Sequence, residues 1–177
     1  MINEKDYWNA RYSQGGNSGY GSYDEQLDKK LAWILPLDFD SICEVGCGDF
    51  NFGKNILRMH PAKYLGLDIS EYIVNKNKED YPLFNFEVFN YHNAEPADLV
   101  LCVDVLFHII EDKDVDRMLS ELDRVWTKYL VITAYERDEK FENHVRIRKF
   151  DPSRFGTPIV REVVEEDGTL YFYIFKK

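Results

Sequence analysis

Long apolar runs are missing from this chain of 177 residues. The longest candidate, Leu99 to Ile110, is interrupted by Asp104 and His108 and falls short of the roughly 18–20 residues that a spanning helix needs. The N-terminus, Met1-Ile2-Asn3-Glu4-Lys5-Asp6, lacks a basic stretch followed by an apolar one. No secretion signal is read there, no membrane association is expected, and the expected location is the cytoplasm. Cysteine is scarce. Cys43, Cys47 and Cys102 are odd in number and lie in or beside apolar, strand-like segments, which predicts reduced buried thiols rather than a disulfide framework. No Cys/His pair with finger-like spacing follows Cys47, so no metal site is expected. Positive charge is in deficit, 22 Lys and Arg against 32 Asp and Glu, for a net charge of −10. An acidic surface repels phosphate backbones, and this disfavours a nucleic-acid partner. Repeats and low-complexity tracts are also lacking.

What is present fits one domain: 45% hydrophobic residues can build a core, and 31% charged residues can cover it. Ser13 to Ser22 carries four of the ten glycines and reads as a loop. Asp24 to Leu35 has Leu27, Leu31, Ile34 and Leu35 at helical spacing, stopped by Pro36. A repeating strand, turn and helix pattern follows. Ser41–Val45 predicts a strand, Asn51–Met59 a helix and Lys63–Asp68 a second strand. Ser70 is placed to cap a helix from Glu71 to about Lys78. Phe84–Phe89 and Asp98–Val103 read as strands, Asp112–Trp126 as a helix and Tyr129–Thr133 as a fifth strand. Pro158–Val164 and Leu170–Phe175 are joined across Glu165-Glu166-Asp167-Gly168, and Asp-Gly between such runs signals a hairpin. The nearly continuous apolar runs predict parallel strands buried on both faces. The expected fold class is therefore α/β, with a sheet parallel except for one antiparallel strand in the C-terminal hairpin. Ala134 to Thr157 is irregular where a crossover helix is expected, and reads as an insertion or a shortened helix.

Two positions carry chemistry. Glu44-Val45-Gly46-Cys47-Gly48-Asp49 ends the first strand and opens a helix. Glycines there let the backbone approach a ligand, and the helix N-terminus offers unpaired N–H groups. Asp68 ends the second strand, where a carboxylate can accept hydrogen bonds from both ribose hydroxyls of an adenosine ligand. A dinucleotide fingerprint would need a third glycine where this chain has Asn51. Its absence favours a ligand without a diphosphate.

Glu44-Val45-Gly46-Cys47-Gly48, Leu65-Gly66-Leu67-Asp68-Ile69-Ser70 and Ala97 to Ile109 resemble, in order and spacing, three motifs of the class I S-adenosylmethionine-dependent methyltransferases. The resemblance spans about residues 24 to 175. Tyr7-Trp8-Asn9-Ala10-Arg11-Tyr12 is similar to the N-terminal segment that folds over the cofactor in small-molecule members. One departure is Phe50, where the family often has a third glycine. The resemblance implies a Rossmann-like seven-stranded sheet with helices on both faces, a cofactor-covering segment over residues 1–23 and a methyltransferase domain over 24–177. It implies S-adenosylmethionine as cofactor. It places Glu44, Gly46, Cys47 and Gly48 along the methionine portion, Asp68 on the ribose, and Ile69 against the adenine. Asn90 falls near the adenine amino group, Val103 offers its carbonyl to the cofactor's amino group, and Arg11 pairs with the carboxylate. Tyr7, Trp8 and Tyr12 are candidates to stabilise the sulfonium charge.

The expected reaction is methyl transfer to an O or N atom of a small-molecule acceptor by a monomer or homodimer. The alternatives are a methyltransferase acting on nucleic acid or protein, and a non-catalytic cofactor-binding domain. A hydroxyl acceptor makes a base useful, and Asp104, His108 and His144 are the candidates by topology. His108 and His144 have an equally open structural reading, and Asp98 reads as structural. Arg146, Arg148, Lys149, Arg154 and Arg161, in the stretch from Asn143, point to an anionic or sugar-like acceptor. Their alternative is pairing with the acidic surface.

Overall fold

A computed structural model describes residues 3–139, 144–164 and 168–177. Seven strands form one sheet: β1 (Ser41–Val45), β2 (Lys63–Asp68), β3 (Asn85–Val88), β4 (Ala97–Cys102), β5 (Trp126–Tyr135), β6 (Val160–Val163) and β7 (Leu170–Lys176). Their order is β3-β2-β1-β4-β5-β7-β6. The first five are mutually parallel, and β7 runs antiparallel to both β5 and β6. The sheet is thus parallel but for one strand, as the apolar runs and the terminal pair predicted. Residues 165–167 of the expected turn lie outside the described residues.

Side-chain alternation divides the core in two. In β4, Leu99 and Leu101 face one cluster while Val100 and Cys102 face the other. In β7, Phe172 and Ile174 oppose Tyr173 and Phe175 in the same way. The first cluster is closed by α2 (Asp24–Ile34) and α3 (Asn51–Met59), through residues such as Leu31, Ile34, Phe52 and Ile56. Val74 of α4 (Glu71–Asp80) joins it. The second is closed by α5 (Asp112–Val125), through Met118, Leu119, Leu122 and Val125. Cys43, Cys47 and Cys102 are buried free thiols.

One boundary is corrected and two segments gain detail. Residues 4–13 form a helix, α1, capped by the Asn3 side chain; their apolar residues make no stripe of helical period because they face a cleft instead of the core. Helix α5 stops at Val125, since Trp126 already has extended backbone (ψ 137°) and begins β5 beside Ala97. Between β5 and β6 no α-helix occurs among the described residues. A single 3-10 turn, Pro152–Phe155, is capped by Asp151 and ended by Gly156 at φ 97°. Phe150 and Phe155 cover the sheet there, against Tyr173 and Phe175. No helix of the described residues is long and apolar enough to cross a membrane.

Candidate active site

The C-terminal ends of β1, β2, β3 and β4 meet at one cleft of about 670 Å³, counting its open mouth. Gly46, Asp68, Ile69, Phe89, Val103 and Asp104 line it from the sheet, while Glu4, Trp8 and Tyr12 of α1 close it from above. Ser18 and Ser22 contribute from the glycine-rich loop, and His108 and Ile109 from the turn after β4.

The glycine turn is built on left-handed backbone. Gly46 and Gly48 have φ of 83° and 49°, and a Cβ on Gly46 would stand 2.2 Å from Val105 Cγ2. Gly48 donates its N–H to Asp68 Oδ2 at 2.9 Å and accepts from Asn77 Nδ2 of α4 at 2.7 Å. Phe50 takes the place of a third glycine and adopts the conformation a glycine would, φ 64° and ψ 9°. Its fully buried ring sits among Tyr64, Tyr81, Phe84 and Phe86, with centroids 4.9–5.2 Å away. Left-handed backbone costs a bulky residue about 1–3 kcal/mol, and burying a phenyl ring returns about 1.5–3 kcal/mol. Packing therefore holds the turn.

Glu44 lies beneath the turn, fully buried, and accepts the hydroxyl of Tyr64. Burial pushes its carboxyl up to about 8. Gly53 lets α3 approach this pair: a Cβ there would meet Glu44 Oε2 at 2.3 Å. Cys47 is buried too, its thiol pushed up by burial. Asp68 receives Gly48 N–H on one oxygen and Ser70 N–H on the other, at 2.9 and 2.8 Å. Each oxygen keeps a lone pair for a ligand. Burial raises the Asp68 carboxyl to about 6, partly offset by those two N–H groups.

The opposite wall holds Asp104, at φ 59°, whose Oδ2 lies 2.5 Å from Nζ of Lys30. Lys30 has no exposed surface and also donates to the Gly21 carbonyl at 2.8 Å. Thr133 donates to Asp104 Oδ1 at 3.0 Å. His108 Nδ1 is 3.2 Å from the His144 carbonyl, an acceptor only, so the proton sits on Nδ1 and Nε2 is left as an acceptor. Burial lowers the His108 imidazole to about 4. His144 stacks on His108 at 5.3 Å and on Tyr7 at 4.2 Å, outside the lining.

Of the residues singled out from sequence, Trp8, Gly46, Asp68, Ile69, Val103, Asp104 and His108 share this cleft. Glu44, Cys47 and Gly48 support it from beneath. Arg11 bonds the Asn17 carbonyl at 2.8 Å and stands 5.8 Å from the Trp8 ring, and Asn90 is an exposed turn residue bonded to His92 and Asn93. Asp98 binds Asp40 N–H and Lys128 at the far end of β4. Four of the five cations of that run are engaged elsewhere. Arg146 and Arg148 clasp Asp112 and the carbonyls of Ile109 and Ile110, Arg161 pairs with Glu136, and Arg154 reaches Ser120. Asn143, where that run begins, lies outside the described residues. Sequence reading missed Glu4, Ser18, Tyr91 and Lys30. Only Lys30 left a signal, as a lone cation at the apolar spacing of Leu27, Leu31 and Ile34.

A glycine turn after the first strand, a carboxylate after the second and a 3-2-1-4-5-7-6 sheet define an α/β fold with a ligand-sized cleft at the C-terminal ends of its strands. No protein of curated function matches the chain by sequence. Residues 42–128 match the family model described as a methyltransferase domain. Among solved structures, the magnesium protoporphyrin IX methyltransferase of Synechocystis PCC 6803 with bound SAH is similar at TM-score 0.73 and 17% identity, over 97% of this chain and 95% of that one. The N-methyltransferase NodS of Bradyrhizobium japonicum WM9, in complex with S-adenosyl-L-homocysteine, is similar at TM-score 0.73 and 12% identity, over 99% of each chain. At such identities these two show the fold. Residues 42–128 thus carry the match to a methyltransferase domain, and the chain as a whole shares its fold with these two methyltransferases.

Proposed function

We propose that this protein transfers a methyl group from S-adenosylmethionine to an O or N atom of a small acceptor held in the cleft beneath α1. The observation that carries the reading is the union in one cleft of Asp68 and Ile69 with Asp104 and His108, roofed by Trp8 and Tyr12. The residues fit the cofactor. Asp68 is a buried carboxylate with spare lone pairs beside apolar Ile69 and Phe89, suited to a ribose and its base. The turn from Gly46 to Gly48 brings backbone within reach of an amino-acid tail, and Val103 lines the same wall.

When bound, the cofactor supplies an electrophilic methyl on a sulfonium. The chain's own residues do the rest. Trp8 and Tyr12 exclude water and present ring faces to positive charge, an effect of about 0.5–2 kcal/mol. Asp104, fixed by Lys30 and Thr133, accepts a hydrogen bond from the acceptor, and His108 offers Nε2. Alignment of an acceptor about 3 Å from the methyl supplies several kcal/mol of barrier reduction. Arg146, Arg148 and Arg161 are held by the chain's own carboxylates, so they lend an anionic acceptor no support.

Calorimetric titration tests the reading. S-adenosylhomocysteine should bind, and Asp68→Ala should weaken it by about 30-fold or more, the loss of two charge-assisted hydrogen bonds. Because the ribose bonds favour the carboxylate form, affinity should fall below the Asp68 value of about 6. Absence of binding by the unaltered protein would end the proposal.

A further inference from the structure

The charge on the cleft wall speaks to the acceptor. Three carboxylates line it, from Glu4, Asp68 and Asp104, and among the described residues no lysine or arginine does. Among the described residues, the one cation touching a lining carboxylate is Lys30, which stands behind Asp104 with no exposed surface and is spent on Asp104 and the Gly21 carbonyl. An anionic acceptor would meet these carboxylates with no cation on the lining to offset them. A neutral or cationic one would face no such repulsion.

The same wall separates nitrogen from oxygen acceptors. A hydroxyl must shed its proton as it attacks, which requires a base of matched strength. Both oxygens of Asp104 are already engaged, one by an ammonium and the other by a hydroxyl. The imidazole of His108, lowered to about 4 by burial, is a feeble proton acceptor. An amine needs no base, because its lone pair is already free in the unprotonated form. What it needs is stabilisation of the positive charge that builds on nitrogen, and a fixed carboxylate in a half-dry cleft supplies that.

We propose that the methylated atom is the nitrogen of an unprotonated amine in an acceptor without negative charge, and that Asp104 accepts its N–H and stabilises its developing charge. This rests on the methyltransferase reading above. The amine lone pair forms the N–C bond while the C–S bond breaks and its electron pair passes to sulfur. The positive charge moves from sulfur to nitrogen, and the proton on the new ammonium stays or leaves to water. Lys30 is then a positioning residue that keeps Asp104 aimed, and Gly21 lets the loop pack over both, since a Cβ there would stand 2.0 Å from Asp104 Oδ2.

The experiment is a turnover screen with matched sets of acceptors, each an amine, an alcohol or phenol, and a carboxylate on the same skeleton, read by S-adenosylhomocysteine release. Aliphatic, benzylic and heteroaromatic skeletons are all included. Amines should lead their alcohol partners by about tenfold or more, carboxylates should be inert, and the methyl should be found on nitrogen. Asp104→Asn should lower kcat/KM for the best amine by about 100-fold, with cofactor-product affinity within about twofold. Asn keeps a carbonyl for Lys30. If that variant fails to bind the product, the paired Asp104→Asn with Lys30→Met removes both charges and is held to the same result. An alcohol or carboxylate outrunning its amine overturns the inference. So does a screen without amine turnover by protein that binds S-adenosylhomocysteine normally, which leaves the cofactor reading standing; loss of that binding strikes the reading itself.

Discussion

Phe50 shows how a single position can obey a backbone rule with the wrong residue. The turn requires left-handed φ, which glycine supplies without strain and phenylalanine does not. The sequence states the departure but not its remedy, because the four rings that hold Phe50 come from Tyr64, Tyr81, Phe84 and Phe86, more than ten residues away. Two substitutions separate packing from strain. Phe50→Ala should cost about 3–5 kcal/mol by opening a cavity. Phe50→Gly opens a similar cavity but relieves the backbone, and should be about 1 kcal/mol more stable than the alanine variant in urea unfolding. Equal stabilities would mean that the turn relaxes and stores no strain. Lys30 left a trace at this scale, a charge on an apolar stripe, and was passed over. The fates of Arg146 and Arg148 were not, since Asp112 is remote in sequence and a charge run does not name its partner.

At the scale of elements, strands β1 and β2 and helix α3 were readable to the residue. Their apolar runs and the glycine turn between them are local signals that burial on both faces reinforces. Helix α1 was not. Its Trp8 and Tyr12 face a cleft rather than the core, so no apolar stripe of helical period marks it. The connection after β5 reads as irregular for a related reason: Phe150 and Phe155 cover the sheet singly, with Pro152 and Gly156 fixing the turn, and no periodicity is needed. Helix α1 docks through few bonds. Asn9 Oδ1 accepts from Ser70 Oγ and Tyr72 N–H at 2.8 and 3.1 Å, and Glu4 accepts Ile110 N–H at 2.5 Å. Asn9→Ala should therefore loosen the roof and leave the sheet intact. Stopped-flow measurements should show S-adenosylhomocysteine leaving about three- to tenfold faster, with global stability changed by less than about 1 kcal/mol. A large stability loss with an unchanged release rate would make α1 part of the core instead.

For the whole molecule, the net charge of −10 opposes compactness, and the ion pairs on its surface oppose that opposition. Salt screens both, so its effect on stability reveals which is larger. Lys5–Glu71, Lys76–Asp80, Arg117–Asp114 and Arg161–Glu136 all have at least one partner well exposed, and such pairs contribute little. Lys30–Asp104 is shielded from salt by burial. Repulsion among ten unbalanced charges acts over the whole surface and is strongest when the Debye length, about 20–30 Å near 0.01–0.02 M salt, spans the molecule. Shortening that length to about 4 Å near 0.5 M should remove more repulsion than attraction. Urea unfolding at pH 7.5 should then show a gain of about 1–3 kcal/mol with an unchanged urea dependence, the mark of a stability change without a change in exposed surface. A fall in stability over the same range would give the surface pairs the larger share, and would place the acidic excess where its charges stand too far apart to repel.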